Sequence, residues 1–215
     1  VVGFEIEASC GWPHRRVVGV DEAGRGAWMG AVYAAAVFLP DDFDPSGLDD
    51  SKRLSAAQRE KQYARLIGED AHLGVVVGVG SASIAEIDQL NILQATFLAM
   101  ERAIGASQAE YALIDGNRVP TLSHPCQAII GGDRAVASIA AASIVAKVTR
   151  DREVSALATQ FPAYGWPQNK GYGTKLHREA LMQHGLSPHH RRSFAPMREM
   201  SSPGGPEDTV SSGCG

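Results

Sequence analysis

The chain has 215 residues, 44% of them hydrophobic and 20% charged, with a formal net charge of −4. This composition excludes a disordered, collagen-like or disulfide-built chain and suffices for one large domain, or one domain with an appendage. The longest apolar run, 31–39, is too short to cross a bilayer; the start, with Glu5 and Glu7, is unlike a signal peptide; and Cys10, Cys126 and Cys214 form neither a metal pattern nor a disulfide framework, so a cytoplasmic protein is expected.

Residues 1–15 carry weak pattern and read as a lead-in. Val17, Val18 and Val20 are β-branched and predict a buried strand ending near 20, followed by Asp21-Glu22-Ala23-Gly24-Arg25-Gly26. Continued extension would point Asp21 and Glu22 to opposite faces; a backbone that left extension at the glycines would let both meet one cation. Arg25 offers a planar fork suited to phosphate. A strand followed by a solvated acidic turn fits the same residues.

A second strand is predicted over 31–39, antiparallel to the first, then an acidic loop over 40–50. Ser55 is the predicted N-cap of a helix over 56–68, and 73–80 reads as a Val-rich third strand. A short helical turn at 83–87 precedes a firmer helix over 90–104, where Leu93, Phe97, Met100 and Ile104 recur at helical spacing. Short strands are predicted at 111–114, before Asp115-Gly116-Asn117, and at 127–130, before Gly131-Gly132-Asp133. A long helix of small residues follows over 136–160, then a loop rich in Gly, Pro and aromatics over 161–173, a helix over 174–184 and a disordered tail over 201–215.

This order predicts an α/β fold with a mixed, mainly five-stranded sheet flanked by helices. Asp21, Asp115 and Asp133 each follow a short apolar strand beside glycine, where α/β sheets build sites. One such acid is ordinary; three, with Glu22, point to a metal cluster. Between 147 and 198, nine Lys/Arg face three Asp/Glu, a local balance of +6 that suits a polyanion or simply a solvated surface.

Taken together, the motifs resemble type 2 ribonuclease H, the bacterial ribonuclease HII family. They are VGVDEAGRG at 18–26, DSKRLS at 50–55, LIDGN at 113–117, Gly132-Asp133, IAAASIVAKVTRD at 139–151, KGYGT at 170–174 and HHRRSF at 189–194. The resemblance covers roughly 16–198. It implies a ribonuclease H-like catalytic domain over 16–160, after the lead-in 1–15, and a C-terminal helical, substrate-binding appendage over 161–200. It implies an endonuclease, dependent on Mn²⁺ or Mg²⁺ at a two-metal site, that hydrolyses RNA in RNA–DNA hybrids and incises 5′ of single ribonucleotides in duplex DNA. Four carboxylates and no Cys/His set suit such hard cations.

By resemblance, Asp21, Glu22, Asp115 and Asp133 are the catalytic and metal-binding acids. Gly24, Arg25 and Gly26 read the ribonucleotide, and Tyr172 stacks on the sugar of the following deoxynucleotide. Lys52, Lys147 and Lys170 touch phosphates or solvate the surface, which look alike in sequence. Asp151, deep in a helix, reads as structural or surface, and His177, His184, His189 and His190 as exposed and non-catalytic. Ala27-Trp28-Met29 stand where the family commonly has Pro-Leu, so Trp28 packs beneath the loop or lies near the substrate. The related type HIII enzymes usually carry a large N-terminal domain, against about fifteen residues here before the first strand. Resolvases and proofreading exonucleases lack the Gly-Arg-Gly block, and a hybrid-binding module without activity would not need four acids. RNA–DNA hybrid and ribonucleotide-containing duplex are the expected partners, no membrane is, and a monomer is the default.

Overall fold

The computed structural model describes residues 2–68, 70–121 and 124–201; most of the tail expected to be disordered therefore lies outside the described residues. In chain order the elements are α1 (Glu5–Ser9), β1 (Val17–Ala23), β2 (Val32–Phe38), α2 (Ala56–Ile67), β3 (Val76–Ala82), α3 (Ile84–Leu90), α4 (Ile92–Ser107), β4 (Tyr111–Asp115), β5 (Cys126–Ile129), α5 (Ala137–Ala158), α6 (Trp166–Asn169), α7 (Lys175–His184) and α8 (Met197–Met200). No described helix is long and apolar enough to cross a membrane.

The sheet is mixed and five-stranded, in the order β3-β2-β1-β4-β5. β1 pairs antiparallel with β2, as its sequence predicts, and β2 with β3, while β4 and β5 add in parallel on the other side. β1 is thus central and buried on both faces, which explains why Val17, Val18 and Val20 show no polar alternation. Val18 and Val20 face α4, among Ala95, Ala99 and Ala103. Gly19 faces α5 so closely that a Cβ would overlap the backbone of Ser138 and Ile139. The small residues of α5 let that helix lie directly on the sheet.

The local signals act as expected in α2, where Ser55 and Gln58 form a reciprocal capping box. They fail in two places, the lead-in and the loop over 161–173. The lead-in contains α1, and Gly3 pairs with Val136 while Glu7 accepts from Ser138 N and Oγ, both at 2.9 Å, at the start of α5. The two helical segments expected at 83–87 and 90–104 are α3 and α4, which change direction at Asn91 (φ 73°), whose side chain caps α4. The loop over 161–173 holds a 3-10 turn (Pro162–Tyr164) and α6.

The C-terminal part has its own small core of Met29, Val154, Tyr164, Trp166, Leu181 and Met197. Met29 belongs to the 24–31 loop, so this core closes only with the loop inside it. Trp28 N donates to Gly171 O (2.8 Å), Gly30 N to His189 O (3.0 Å) and Arg191 N to Trp28 O (2.8 Å).

Candidate active site

β1 stays extended through Ala23 instead of ending at Val20. Alternation then decides the site. Asp21 shares a face with Gly19, towards α5, while Glu22 shares one with Val20, towards α4. Asp115 lies one step beyond the Val20–Ile114 pair, so it neighbours Asp21 on the adjacent parallel strand. Asp133 comes from the 3-10 turn Gly132–Arg134 after β5. That turn is tied to β4 through Asp115, whose Oδ1 accepts from Gly132 N (2.8 Å) and Asp133 N (3.4 Å).

Carboxylate oxygens of Asp21, Asp115 and Asp133 lie within 4.8 Å of one another. Glu22 is outside that trio. It borders a groove of about 290 Å³ on the α4 side with Arg25, Phe97, Met100, Asp115 and Asn117. Its Oε1 is 3.3 Å from Arg25 Nη1.

The acids carry more negative charge than their surroundings balance. Burial, then Glu22, Asp115 and Asp133, push the Asp21 carboxyl well above the usual carboxylate range. Burial, then Asp115 and Asp50, raise Asp133 against the pull of Lys52 and Arg134. Burial also raises Glu22, although Arg25 opposes it. Buried oxygen donors with uncompensated charge are a set that a hard divalent cation satisfies. Among the described residues, no Cys or His joins this cluster.

Of the basic residues singled out in the sequence, Lys52 is exposed and in the field of the acids. Partial burial lowers its pKa, but Asp50, Asp21, Asp133 and Glu22 together outweigh that and raise it. Lys147 Nζ is 2.8 Å from Asp151 Oδ1, one turn along α5. Lys170 Nζ reaches Ser155 Oγ at 3.4 Å. Asp151 thus serves an ion pair within a helix.

The Gly24–Gly26 turn is held from beneath by two arginines that the sequence reading passed over. Arg191 is fully buried and donates to the carbonyls of Arg25, Ala27, Gly30 and Ala31 at 2.9, 2.7, 2.9 and 3.3 Å. Burial lowers its pKa, yet a guanidinium with four carbonyl acceptors remains charged at neutral pH. Arg150 fills the space against Gly24, whose φ is +93°. Arg150 stands beside Asp151 in VTRD and Arg191 within HHRRSF, so both were in view; an arginine spent on backbone carbonyls has no sequence signature.

Tyr172 is 38% exposed, and its ring comes within 3.7 Å of where a Cβ on Gly26 would sit. Trp28 packs under the turn, against Gly173 and His177. His177 and His190 correct the expectation of exposed histidines: both are buried, with their Nε2 atoms 3.1 Å apart. The cause is the aromatic core of the appendage, where Trp166 Nε1 also donates to His177 Nε2 (3.3 Å).

The comparisons with known proteins agree with this architecture. The family model described as Ribonuclease HII matches residues 18–197. The chain is 53% identical to Ribonuclease HII of Magnetococcus marinus over 191 residues, covering 86% of this chain and 87% of that protein. It is 53% identical to Ribonuclease HII of Rhodospirillum rubrum over 202 residues, covering 91% and 90%. In structure it is similar to the ribonuclease H2 of Pyrococcus horikoshii, with a TM-score of 0.66, 27% identity and coverage of 86% and 96%.

Proposed function

The chain belongs to the ribonuclease HII family, a family of metal-dependent endonucleases that cleave RNA in RNA–DNA hybrids, and we propose that it also incises duplex DNA 5′ of a single embedded ribonucleotide. The observation that carries this reading is the cluster of Asp21, Asp115 and Asp133 beside a Gly-Arg-Gly turn whose Arg25 and Gly26 are exposed and whose Gly26 faces the Tyr172 ring. Hydrolysis of a phosphodiester needs concentrated positive charge and oriented water; distinguishing RNA needs a group that meets the 2′-OH.

In this reading Asp21, Asp115 and Asp133, with Glu22 from the opposite face, would hold two divalent cations, which would supply charge neutralisation at the phosphate and a more acidic attacking water. Gly26 brings backbone to the 2′-OH, Gly24, at φ +93° and packed on Arg150, shapes the turn that presents it, and Arg25, kept near by Glu22, faces phosphate. Tyr172 stacks on the sugar of the next deoxynucleotide, and Lys52 and Lys147 lie towards the backbone of the duplex. The products are 5′-phosphate and 3′-hydroxyl ends. The 2′-OH is read and is not the nucleophile, so the buried histidines have no part in the reaction. The catalytic part spans 16–160 and the substrate-binding appendage 161–200. The enzyme works as a cytoplasmic monomer in ribonucleotide excision repair and RNA primer removal.

The test is incision of a DNA duplex carrying one ribonucleotide, with Mg²⁺ or Mn²⁺. The expected outcome is one cut on the 5′ side of that residue, lost when it is replaced by its 2′-deoxy or 2′-O-methyl form. Absence of incision with both metals, or equal cutting of all-DNA duplex, refutes the reading.

A further inference from the structure

Arg150 is 1% exposed, and a buried guanidinium is costly unless its donors are satisfied. Its one ion-pair contact is weak: Asp151 Oδ1 is 4.0 Å away and already bound by Lys147. Its donors go to main chain, Nη1 to Lys170 O (3.0 Å) and Nη2 to Met29 O (3.4 Å). Nε is buried with no acceptor, packed where a Cβ on Gly24 would overlap it. Cζ lies 5.6 Å from the centroid of the Tyr172 ring, and a Cβ on Gly171 would stand 3.5 Å from Nη2. One side chain therefore touches both the 24–26 turn and the 170–172 turn and fills the space between them. Asp151 and Glu153 act on its charge from nearby, but its hydrogen bonds go to main chain of the two loops.

We propose that Arg150 is a positioning residue that fixes the distance between the Gly24–Gly26 turn and Tyr172, and through it the preference for an isolated ribonucleotide over continuous RNA. This rests on the reading above, in which those two groups meet the ribonucleotide and the sugar after it. At an isolated ribonucleotide a single register presents the 2′-OH and the following deoxy sugar together. In continuous RNA every register offers a 2′-OH, so an error in spacing costs less. Trp28 N–Gly171 O joins the same segments through main chain, but it leaves the gap between Gly24 and Tyr172 to Arg150.

The experiment uses the full chain and its Arg150→Gln and Arg150→Lys variants, each assayed with Mg²⁺ on a single-ribonucleotide duplex and on a continuous RNA–DNA hybrid. For Arg150→Gln the ratio of the two rates falls about tenfold. Arg150→Lys, which keeps the charge and one donor direction, recovers part of it. In a Tyr172→Ala background Arg150→Gln changes the ratio no further, because both act through one contact. An unchanged ratio, or independent effects in the double variant, overturns the proposal. If the wild type itself fails to cut at a single ribonucleotide, the functional reading fails instead. Should both variants fail to fold, the wild type carries the test: with ¹⁵N-labelled arginine and no divalent metal, the Arg150 Nε–H signal shifts on adding ribonucleotide-containing duplex and stays put with all-DNA duplex of the same sequence. The same response to both duplexes overturns it.

Discussion

Asp21 shows how a site can oppose the stability of the fold that builds it. Its carboxylate is buried among Glu22, Asp115 and Asp133, and its Oδ1 accepts from Glu22 N at 2.7 Å. An asparagine retains that acceptor and removes the repulsion. Because the folded-state pKa is raised, the metal-free protein loses stability as pH climbs from the unfolded value through the folded one. Asp21→Asn is therefore expected to raise metal-free stability by on the order of 1 kcal/mol while abolishing turnover. Mg²⁺ or Mn²⁺ should raise the melting temperature of the wild type and have little effect on that variant. Thermal melts with and without metal check this; a less stable metal-free variant would contradict it. A second comparison separates the two late acids. Asp133→Asn should lower turnover by about 10³-fold or more with duplex binding retained, and Asp151→Asn should keep it within about threefold, since Asp151 serves Lys147 on α5. Steady-state rates and filter binding decide it. The convergence of Asp21, Asp115 and Asp133 was legible because each follows an apolar strand beside glycine. The orientation of Glu22 was not, because it depends on β1 remaining extended for three more residues, and that is set by pairing with β2.

At the level of elements, the signals that survived are those with long periodicity or chemistry fixed by a single residue. The helix expected over 136–160 is α5, Ala137–Ala158, and the Ser55 cap is in place. What escaped is α1, five residues whose pattern is too short to register and whose value lies in what it touches. Glu7 caps α5 from outside the helix: Val136, its N-cap residue, has no side-chain bond to give, and Glu7 Oε1 takes Ser138 N and Oγ instead. α5 begins four residues after Asp133, so this cap steadies the turn that carries an acid of the site. Glu7→Ala should cost about 1–3 kcal/mol, the loss of a buried acceptor to two donors, while Glu7→Gln, which keeps the oxygen, should cost less. Gly19→Ala belongs to the same contact and should be worse, because its Cβ would drive β1 off the backbone of α5. Urea denaturation of the three variants tests the order; a Gly19→Ala protein as stable as wild type would refute the close packing.

At the scale of the molecule, the clusters packed on the sheet and the C-terminal core are tied together by the end of α5 and by one loop. The 24–31 segment leaves the sheet, places Met29 in the C-terminal core, and is bound there by Arg191 and by pairing of Met29 with His190. The net charge of −4 conceals this division of labour, since the acids lie on the sheet and the basic excess in the last third. At the centre of the C-terminal core the two histidines form a chain with one consistent protonation. His190 Nδ1 accepts from Ser187 N (2.9 Å), so its proton is on Nε2 and is given to His177 Nε2; His177 Nδ1–H then holds Tyr172 O at 3.0 Å. Tryptophan and tyrosine rings surround the pair, and among the described residues no carboxylate acts on either. Burial, then the neighbouring His177, pushes His190 down to about 4, and burial lowers His177. Both rings are thus kept neutral in the folded protein. Between pH 6.5 and about 4 the unfolded chain takes up protons that the folded one refuses. This stabilisation is complete above pH 6.5 and is lost as pH falls towards 4, on the order of 3 kcal/mol for His190. The raised carboxyls of Glu7, Asp21 and Asp133 act with the opposite sign as pH falls, so a bulk melting curve mixes the two. Proton NMR of the imidazole ring hydrogens separates them. The His190 signals should hold their neutral positions from pH 7 to below 5, the His177 midpoint should fall below 6.5, and Tyr172 should lose its anchor only when the two rings titrate. A midpoint at or above 6.5 for either ring would break the chain of donors from Ser187 to Tyr172, and with it this account of how the appendage holds its tyrosine in place.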